Sequence, residues 1–164
     1  MIEVCEAQLR DMPHVVRLDT QTQEFALGVD EAKQWFTTVD EAPYIARISG
    51  REVGFALAMF DKVAHTRVII KRIGVHPKFR RVGVGRKIVE RIAIEAATEN
   101  IDVVQMTVPS YIIDDTEDPW NIEQWIWKLG FKATKTITDH FHRYNRDYDG
   151  YIFQRMPHDS QAIC

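Results

Sequence analysis

The stretch from residue 73 to residue 99 constrains the fold of this chain more than any other part of it. A largely apolar run at residues 68–75 stops at Pro77, and a basic loop that carries Gly83 and Gly85 follows. After the loop, apolar residues recur at the spacing of an amphipathic helix, at Ile88, Val89, Ile92, Ala93 and Ala96. The sequence therefore predicts a strand, a glycine-containing turn and a helix, in that order.

This order predicts a binding site for an anion. A helix N-terminus offers unpaired backbone N–H groups and a partial positive charge, and glycines let the backbone come close to a ligand. Four cations crowd the start of the helix, namely Arg80, Arg81, Arg86 and Lys87. Cations at this end oppose the helix dipole, so their arrangement is unfavourable unless a negative group binds there. The alternative is a solvated basic turn whose arginines pair with glutamates further along the helix.

Two common phosphate loops are excluded by the residues that follow Gly85. A Walker loop needs Gly-Lys followed by Ser or Thr, whereas this chain has Gly85-Arg86-Lys87-Ile88. A dinucleotide fingerprint needs a third glycine where Ile88 stands. What remains is Arg80-x-x-Gly83-x-Gly85 after Val75-His76-Pro77. This pattern resembles the acetyl-coenzyme A loop of the GNAT acyltransferase family, which has Gln/Arg-x-x-Gly-x-Gly/Ala after a strand that ends in Val-x-Pro.

Length and composition predict one globular domain that spans residues 1–164. The chain is 45% hydrophobic and 27% charged, and its net charge of -3 does not favour non-specific nucleic-acid binding. No window reaches the ~18 consecutive apolar residues of a membrane span, and the N-terminus does not read as a secretory signal. Cys5 and Cys164 fit a reducing compartment. We therefore expect a cytoplasmic protein with neither a nucleic-acid nor a membrane partner.

The pattern along the chain predicts an α/β fold with helices on both faces of a mixed sheet. The predicted strands lie at residues 2–7, 44–48, 52–60, 66–75, 101–108, 131–137 and 150–156, the last two around a long connection. Helices are predicted at residues 9–18, after an N-cap at Asp30, after the basic loop, and after an N-cap at Asp118. The GNAT fold has the same order and implies a mainly antiparallel sheet of about seven strands. The ending Trp-Lys-Leu-Gly-Phe at residues 127–131 is also similar to that family's last helix.

The resemblance implies that acetyl-coenzyme A is the co-substrate and that an acceptor amine attacks its thioester directly. The backbone of Ile73 and Val75 would pair with the pantetheine amides. The residues implied at the pyrophosphate are Arg80, Arg81, Val82, Gly83, Val84, Gly85 and Arg86. Asn121 would replace the family asparagine of the last helix, although it lies nine residues before Gly130 rather than the usual eleven.

The acid–base residues of the family are not matched. The strand positions where many members have a glutamate read Ile69, Ile70, Lys71 and Arg72. Ile126 stands where many members have a tyrosine, and its place on the apolar stripe predicts a core residue. Tyr111 is the replacement we predict as general acid. Four carboxylates could attract a cationic amine or form a solvated loop: Asp114, Asp115, Glu117 and Asp118. A second group of acidic residues lies near the first two helices, where the family often forms its acceptor site, and is the weaker candidate for attracting an amine: Glu24, Asp30 and Glu31.

Three functions are compatible with the sequence. The first is an N-acetyltransferase that acts on a small amine, a polyamine or a protein amine. The second is a non-catalytic acyl-coenzyme A binding or sensor module of the same fold. The third is a protein that binds RNA or a phosphorylated partner through the basic loop. His140 and His142 lack a third ligand at a recognised spacing, so no metal is expected. Pairing of sheet edges into a homodimer is left open.

Overall fold

The computed structural model describes residues 1–23, 26–61, 63–64, 66–114, 121–143 and 145–157. Its seven-stranded sheet has the order β1-β2-β3-β4-β5-β7-β6. The strands are β1 (Ile2–Glu6), β2 (Glu41–Ile48), β3 (Arg51–Phe60), β4 (Arg67–Val75), β5 (Val103–Pro109), β6 (Lys132–Arg143) and β7 (Arg146–Arg155). The helices are α1 (Met12–Thr22), α2 (Val29–Thr37), α3 (Val84–Thr98), α4 (Ser110–Ile113) and α5 (Ile122–Lys128). All strand pairs are antiparallel except β4 with β5, which confirms the predicted mixed, mainly antiparallel sheet.

The hairpin of β2 and β3 forms the middle of the hydrophobic core. Ser49 and Gly50 both have positive φ angles, of 50° and 77°, as a tight two-residue hairpin turn requires. Residues 53–58 of β3 are all buried, as their continuous apolar sequence predicts. Successive strand side chains point to opposite faces, so Ala56 packs with the α3 cluster and Phe55 with the α1–α2 cluster. Helices therefore cover both faces of the sheet.

A buried polar contact ties α3 to β2. The phenol of Tyr44 donates a hydrogen bond to the carboxylate of Glu95, although Tyr44 is fully buried. Burial and then the neighbouring Glu95 carboxylate raise the pKa of this phenol far above its ordinary value. Tyr44 therefore stays protonated and remains a donor to Glu95.

Two predicted helix starts are wrong. Gly28, not Asp30, is the N-cap of α2, and Asp30 lies inside the first turn, where an acidic side chain suits the helix dipole. Helix α5 begins at Ile122 with Asn121 as its N-cap, so the predicted N-cap at Asp118 is wrong. Asp118 itself lies outside the described residues. Each region offers more than one residue of a type that caps helices, Gly28 and Asp30 in the first and Asp118 and Asn121 in the second. The sequence pattern does not choose between them.

The long connection predicted between the last two strands is also wrong. β6 ends at Arg143 and β7 begins at Arg146, so the two strands form one extended hairpin. The register of β6 shifts between Ile137 and Phe141, and Asp139 there has a φ of 51°. This irregularity breaks the alternation of apolar and polar residues by which a strand is recognised in a sequence.

Among the described helices, none is both long enough and apolar enough to cross a membrane.

Candidate functional site

The sheet opens between β4 and β5 at their carboxyl ends. The two strands pair in parallel only from Arg67 with Val103 to Ile70 with Met106. Beyond this point β4 stays paired with β3 as far as Val75, and β5 stays paired with β7 as far as Pro109. Each strand therefore keeps one neighbour and loses the other. The result is an opening with one backbone edge on each side.

The polar backbone groups of Ile73 and Val75 face this opening. The N–H of His76 donates to the carbonyl of Val53 on β3 at 2.8 Å, so strand alternation turns the groups of Ile73 and Val75 the other way. Both carbonyls accept a hydrogen bond from a side chain. Gln23 Nε2 donates to Ile73 O at 2.9 Å, and Arg80 Nε donates to Val75 O at 3.0 Å. An amide of a bound ligand that pairs with either carbonyl would replace a side-chain donor.

The basic loop places two residues with left-handed backbone at the start of α3. Arg81 and Gly83 both lie in the left-handed region, with φ angles of 64° and 95°, and Gly83 is the N-cap of the helix. Left-handed residues in a turn bring successive N–H groups toward one point, which is the geometry of an anion-binding nest, and we call the N–H groups around Arg81 and Gly83 the nest. A Cβ on Gly83 would have Ile2 Cδ1 at 3.9 Å as its nearest neighbour, so its φ angle rather than crowding requires glycine. The local geometry therefore suits the predicted anion.

Two other glycines let the elements around the opening pack closely. A Cβ on Gly54 of β3 would lie 2.8 Å from Val84 Cγ1, so Gly54 brings the start of α3 onto the sheet. A Cβ on Gly85 would lie 2.7 Å from Trp125 Cζ2, so α5 rests on the first turn of α3 at this glycine. Gly85, which the sequence pattern assigned to the anion site alone, thus has a packing role that sequence reasoning missed.

A buried ion pair fixes the chain after α1 against β4. The carboxylate of Asp19 is fully buried and accepts hydrogen bonds from the Leu27 N–H at 2.6 Å and from Arg72 Nη1 at 2.8 Å. Arg72 is one of the strand positions at which the resemblance implied a glutamate. Ile126 is 1% exposed and belongs to the core, as predicted. Neither position therefore offers the carboxylate or the phenol that many family members use.

Tyr111 lies in α4, directly after the carboxyl end of β5. Its ring packs edge-on against the ring of Tyr148, with 4.9 Å between the centroids. The residue is therefore at the same edge of the sheet as the opening. Its role as general acid stays a prediction.

A second tyrosine near α4 was missed by sequence reasoning. Tyr151 of β7 donates its phenol proton to Asp114, whose Oδ2 and Oδ1 lie 3.0 Å and 3.2 Å from the phenol oxygen. This hydrogen bond raises the pKa of Tyr151, with smaller contributions from burial and from the carboxylates of Asp149 and Glu123. Asp114 and Tyr151 are 37 positions apart in the sequence. Only the register of β5 with β7 brings them together.

The remaining candidates are less informative. Asp115, Glu117, Asp118 and Glu24 lie outside the described residues. Asp30 and Glu31 are exposed in the first turn of α2. Asn121 caps α5, since its Oδ1 accepts from the N–H of Gln124 at 3.2 Å, and its part in cofactor binding stays a prediction. In the part of the chain that the structure describes, no three His, Cys, Asp or Glu side chains lie together as metal ligands.

A family model described as an acetyltransferase (GNAT) domain matches residues 40–133. This match runs from the start of β2 to the start of β6 and contains the opening, the basic loop, α3, α4 and α5. No curated protein sequence matches the chain.

Solved structures with the same fold include the three proteins that follow. The ribosomal-protein-S18-alanine N-acetyltransferase from Escherichia coli is 15% identical, with 95% of this chain and 94% of that chain covered and a TM-score of 0.77. Ard1 from Thermoplasma volcanium is 19% identical, with 94% and 97% covered and a TM-score of 0.77. Arabidopsis thaliana Naa50, in complex with the bisubstrate analogue CoA-Ac-MVNAL, is 15% identical, with 94% and 97% covered and a TM-score of 0.74. At these identities the likeness establishes the fold.

Proposed function

Because the chain belongs to the acetyltransferase (GNAT) family, we propose that it transfers the acetyl group of acetyl-coenzyme A to the nitrogen of a primary amine. The observation that carries this proposal is the opening between β4 and β5 together with the basic loop, which contacts the end of β4 where Arg80 Nε donates to Val75 O. A long cofactor with an anionic pyrophosphate and an amide-bearing arm needs both features next to each other.

The residues fit such a cofactor. The N–H groups of residues 81–86 would hold the pyrophosphate at the positive end of α3, and the Arg86 side chain would add a charge-assisted bond. The arm would lie along β4 and pair with Ile73 and Val75 like an added strand. Gln23 and Arg80 would then release the two carbonyls to which they donate. When bound, acetyl-coenzyme A supplies the activated acetyl group.

We propose no acceptor class narrower than a primary amine. The Escherichia coli relative is named for a protein alanine, and Naa50 was solved with an analogue that joins coenzyme A to a peptide. A protein or peptide amine is therefore one class to test, beside small amines and polyamines. The exposed free thiol of Cys5 supports our proposal of a cytoplasmic location.

A second candidate is a module that binds acyl-coenzyme A without turnover. Two observations favour it, because Arg72 is ion-paired with Asp19 and Ile126 is buried in the core. At these two positions the chain thus lacks the glutamate and the tyrosine that many family members use. This candidate differs from the first only in turnover, so an acceptor screen separates them.

The deciding experiment measures release of the coenzyme A thiol from acetyl-coenzyme A in the presence of diamines, polyamines and peptides with free N-termini or lysines. We expect acceptor-dependent thiol release together with an acetylated product in the mass spectrum. Gly83→Trp should abolish it by filling the nest. Gly50→Trp is the matched control, since Gly50 also has a positive φ and an open surrounding. Cofactor binding without any acetylated acceptor would favour the non-catalytic module.

A further inference from the structure

We propose that the carboxylate of Asp114 takes the proton that the acceptor amine loses during acetyl transfer, and that Tyr151 holds this carboxylate in place. The proposal rests on the proposed acetyltransferase function and names the proton-handling group that the family positions lack. It assigns Asp114 as a catalytic residue and Tyr151 as a positioning residue.

The first support is the place of the pair in the fold. Tyr151 lies opposite Val108 of β5, past the point where β4 and β5 separate. Asp114 directly follows α4, which packs against β5, β7 and α5. Since β4 and β5 are parallel, their carboxyl ends reach the same edge of the sheet. The pair therefore stands at the edge where the opening and the basic loop are found.

The second support is the way the carboxylate is held. The phenol oxygen of Tyr151 lies within 3.2 Å of both oxygens of Asp114, which fixes the plane of a side chain that is otherwise exposed. An ionised carboxylate has about four lone-pair positions, and one phenol proton uses only part of them. Asp114 thus keeps acceptor capacity for an amine N–H while its orientation is set.

The charges around the phenol decide which of the two groups exchanges protons. The hydrogen bond to Asp114 raises the pKa of Tyr151, and the carboxylates of Asp149 and Glu123 act in the same direction. The phenol therefore keeps its proton near neutral pH and remains a donor to Asp114. Proton transfer then falls to the carboxylate.

The reaction balances without a redox partner. The lone pair of the amine nitrogen attacks the thioester carbon, so a C–N bond forms and the C–S bond breaks. The sulfur leaves as a thiolate, which takes a proton from the predicted general acid, Tyr111, or from solvent. The proton lost by nitrogen goes to the Asp114 carboxylate and from there to water. An acceptor that arrives as an ammonium ion would lose its first proton to the same group.

The test compares steady-state kinetics of the wild type, Asp114→Asn, Tyr151→Phe and the double variant. Loss of a general base typically lowers the rate by about 10²-fold or more. We expect this loss in kcat for Asp114→Asn, a loss of about tenfold for Tyr151→Phe, and an unchanged KM for acetyl-coenzyme A. The double variant should be no slower than Asp114→Asn, because both residues act in one step. Asp147→Asn, which alters a carboxylate on the exposed β6–β7 hairpin, is the matched control.

A spectroscopic readout tests the contact itself without turnover. In an ultraviolet titration, Asp114→Asn should lower the pKa of the Tyr151 phenol, with Tyr151→Phe identifying its signal. Turnover in the wild type with an unchanged kcat in Asp114→Asn overturns this proposal and leaves the acetyltransferase function intact. A wild type that binds acetyl-coenzyme A and acetylates no acceptor overturns the proposed function and this proposal with it.

Discussion

Replacing Gly85 with alanine is expected to destabilise the protein, although alanine is the better helix former. The added Cβ would lie 2.7 Å from Trp125 Cζ2, closer than two carbon atoms approach. Overpacking of this kind costs about 1–3 kcal/mol. The gain in helix propensity is at most about 1 kcal/mol, and less in the first turn of α3. With a clash near the middle of its range, about 2 kcal/mol, and a propensity gain of about 0.5 kcal/mol in the first turn, the net loss is about 1–2 kcal/mol.

Thermal unfolding followed by circular dichroism measures this effect. For a chain of this size, each kcal/mol shifts the midpoint by about 2–4 °C, so Gly85→Ala should lower it by about 2–8 °C. Gly28→Ala is the matched control, because Gly28 also stands at a helix start but has no atom within 4 Å of an added Cβ and an ordinary φ. Its stability should change by less than about 1 kcal/mol, because the loss of a favoured N-cap residue and the lower conformational freedom of alanine in the unfolded chain oppose each other. A Gly85→Ala variant as stable as the wild type would refute the close packing of α5 on α3.

Two further predictions concern the buried carboxylates of Asp19 and Asp11. Asp19→Ala should lower the free energy of unfolding by about 3 kcal/mol in urea titrations, because the Leu27 N–H and the Arg72 guanidinium both lose their partner. Asp11→Asn should cost about 1–2 kcal/mol near neutral pH, because it weakens the ion pair with Arg47. It should also make the loss of stability below about pH 4 less steep.

The sign of the pH effect follows from the pKa of Asp11. Burial alone would raise this pKa, but the N–H of Gln8 and the guanidinium of Arg47 lower it below its ordinary value. A carboxyl group with a lowered folded-state pKa stabilises the protein above its unfolded pKa, and this contribution is lost as the pH falls through the folded value. If the wild type and Asp11→Asn lost stability equally steeply below about pH 4, the pKa of Asp11 would not contribute to the pH dependence of stability.

For Asp19→Ala the control is Asp30→Ala, because Asp30 is exposed. Equal stability of these two variants would contradict the buried ion pair.

The parts of the fold that the sequence predicts are those with local causes. The strand, basic loop and helix around Gly83 follow one another along the chain, and their glycines, apolar periodicity and charges all act within a few residues. The β2–β3 hairpin is of the same kind, because Ser49 and Gly50 alone set its turn. The core position of Ile126 follows from the helical spacing of its neighbours.

The parts that the sequence did not reveal depend on contacts between distant residues. The contact of Gly85 with Trp125 is visible only when α3 and α5 are packed together. The pair of Asp114 and Tyr151 needs the register of β5 with β7, which the wrong long connection between the last strands concealed. The point of separation after Ile70 is likewise a property of the whole sheet, since each of the two strands loses one neighbour there and keeps the other.

The most direct test of the account is a thermal-shift titration of the wild type and Gly83→Trp with acetyl-coenzyme A. A ligand present at about 100 times its Kd stabilises the folded state by about 2.7 kcal/mol. That gain corresponds to a midpoint about 5–11 °C higher for a chain of this size. The account predicts this rise for the wild type and none for Gly83→Trp. A wild type whose midpoint does not move, or a Gly83→Trp variant that shifts as much as the wild type, would contradict the assignment of the loop and opening as the cofactor site.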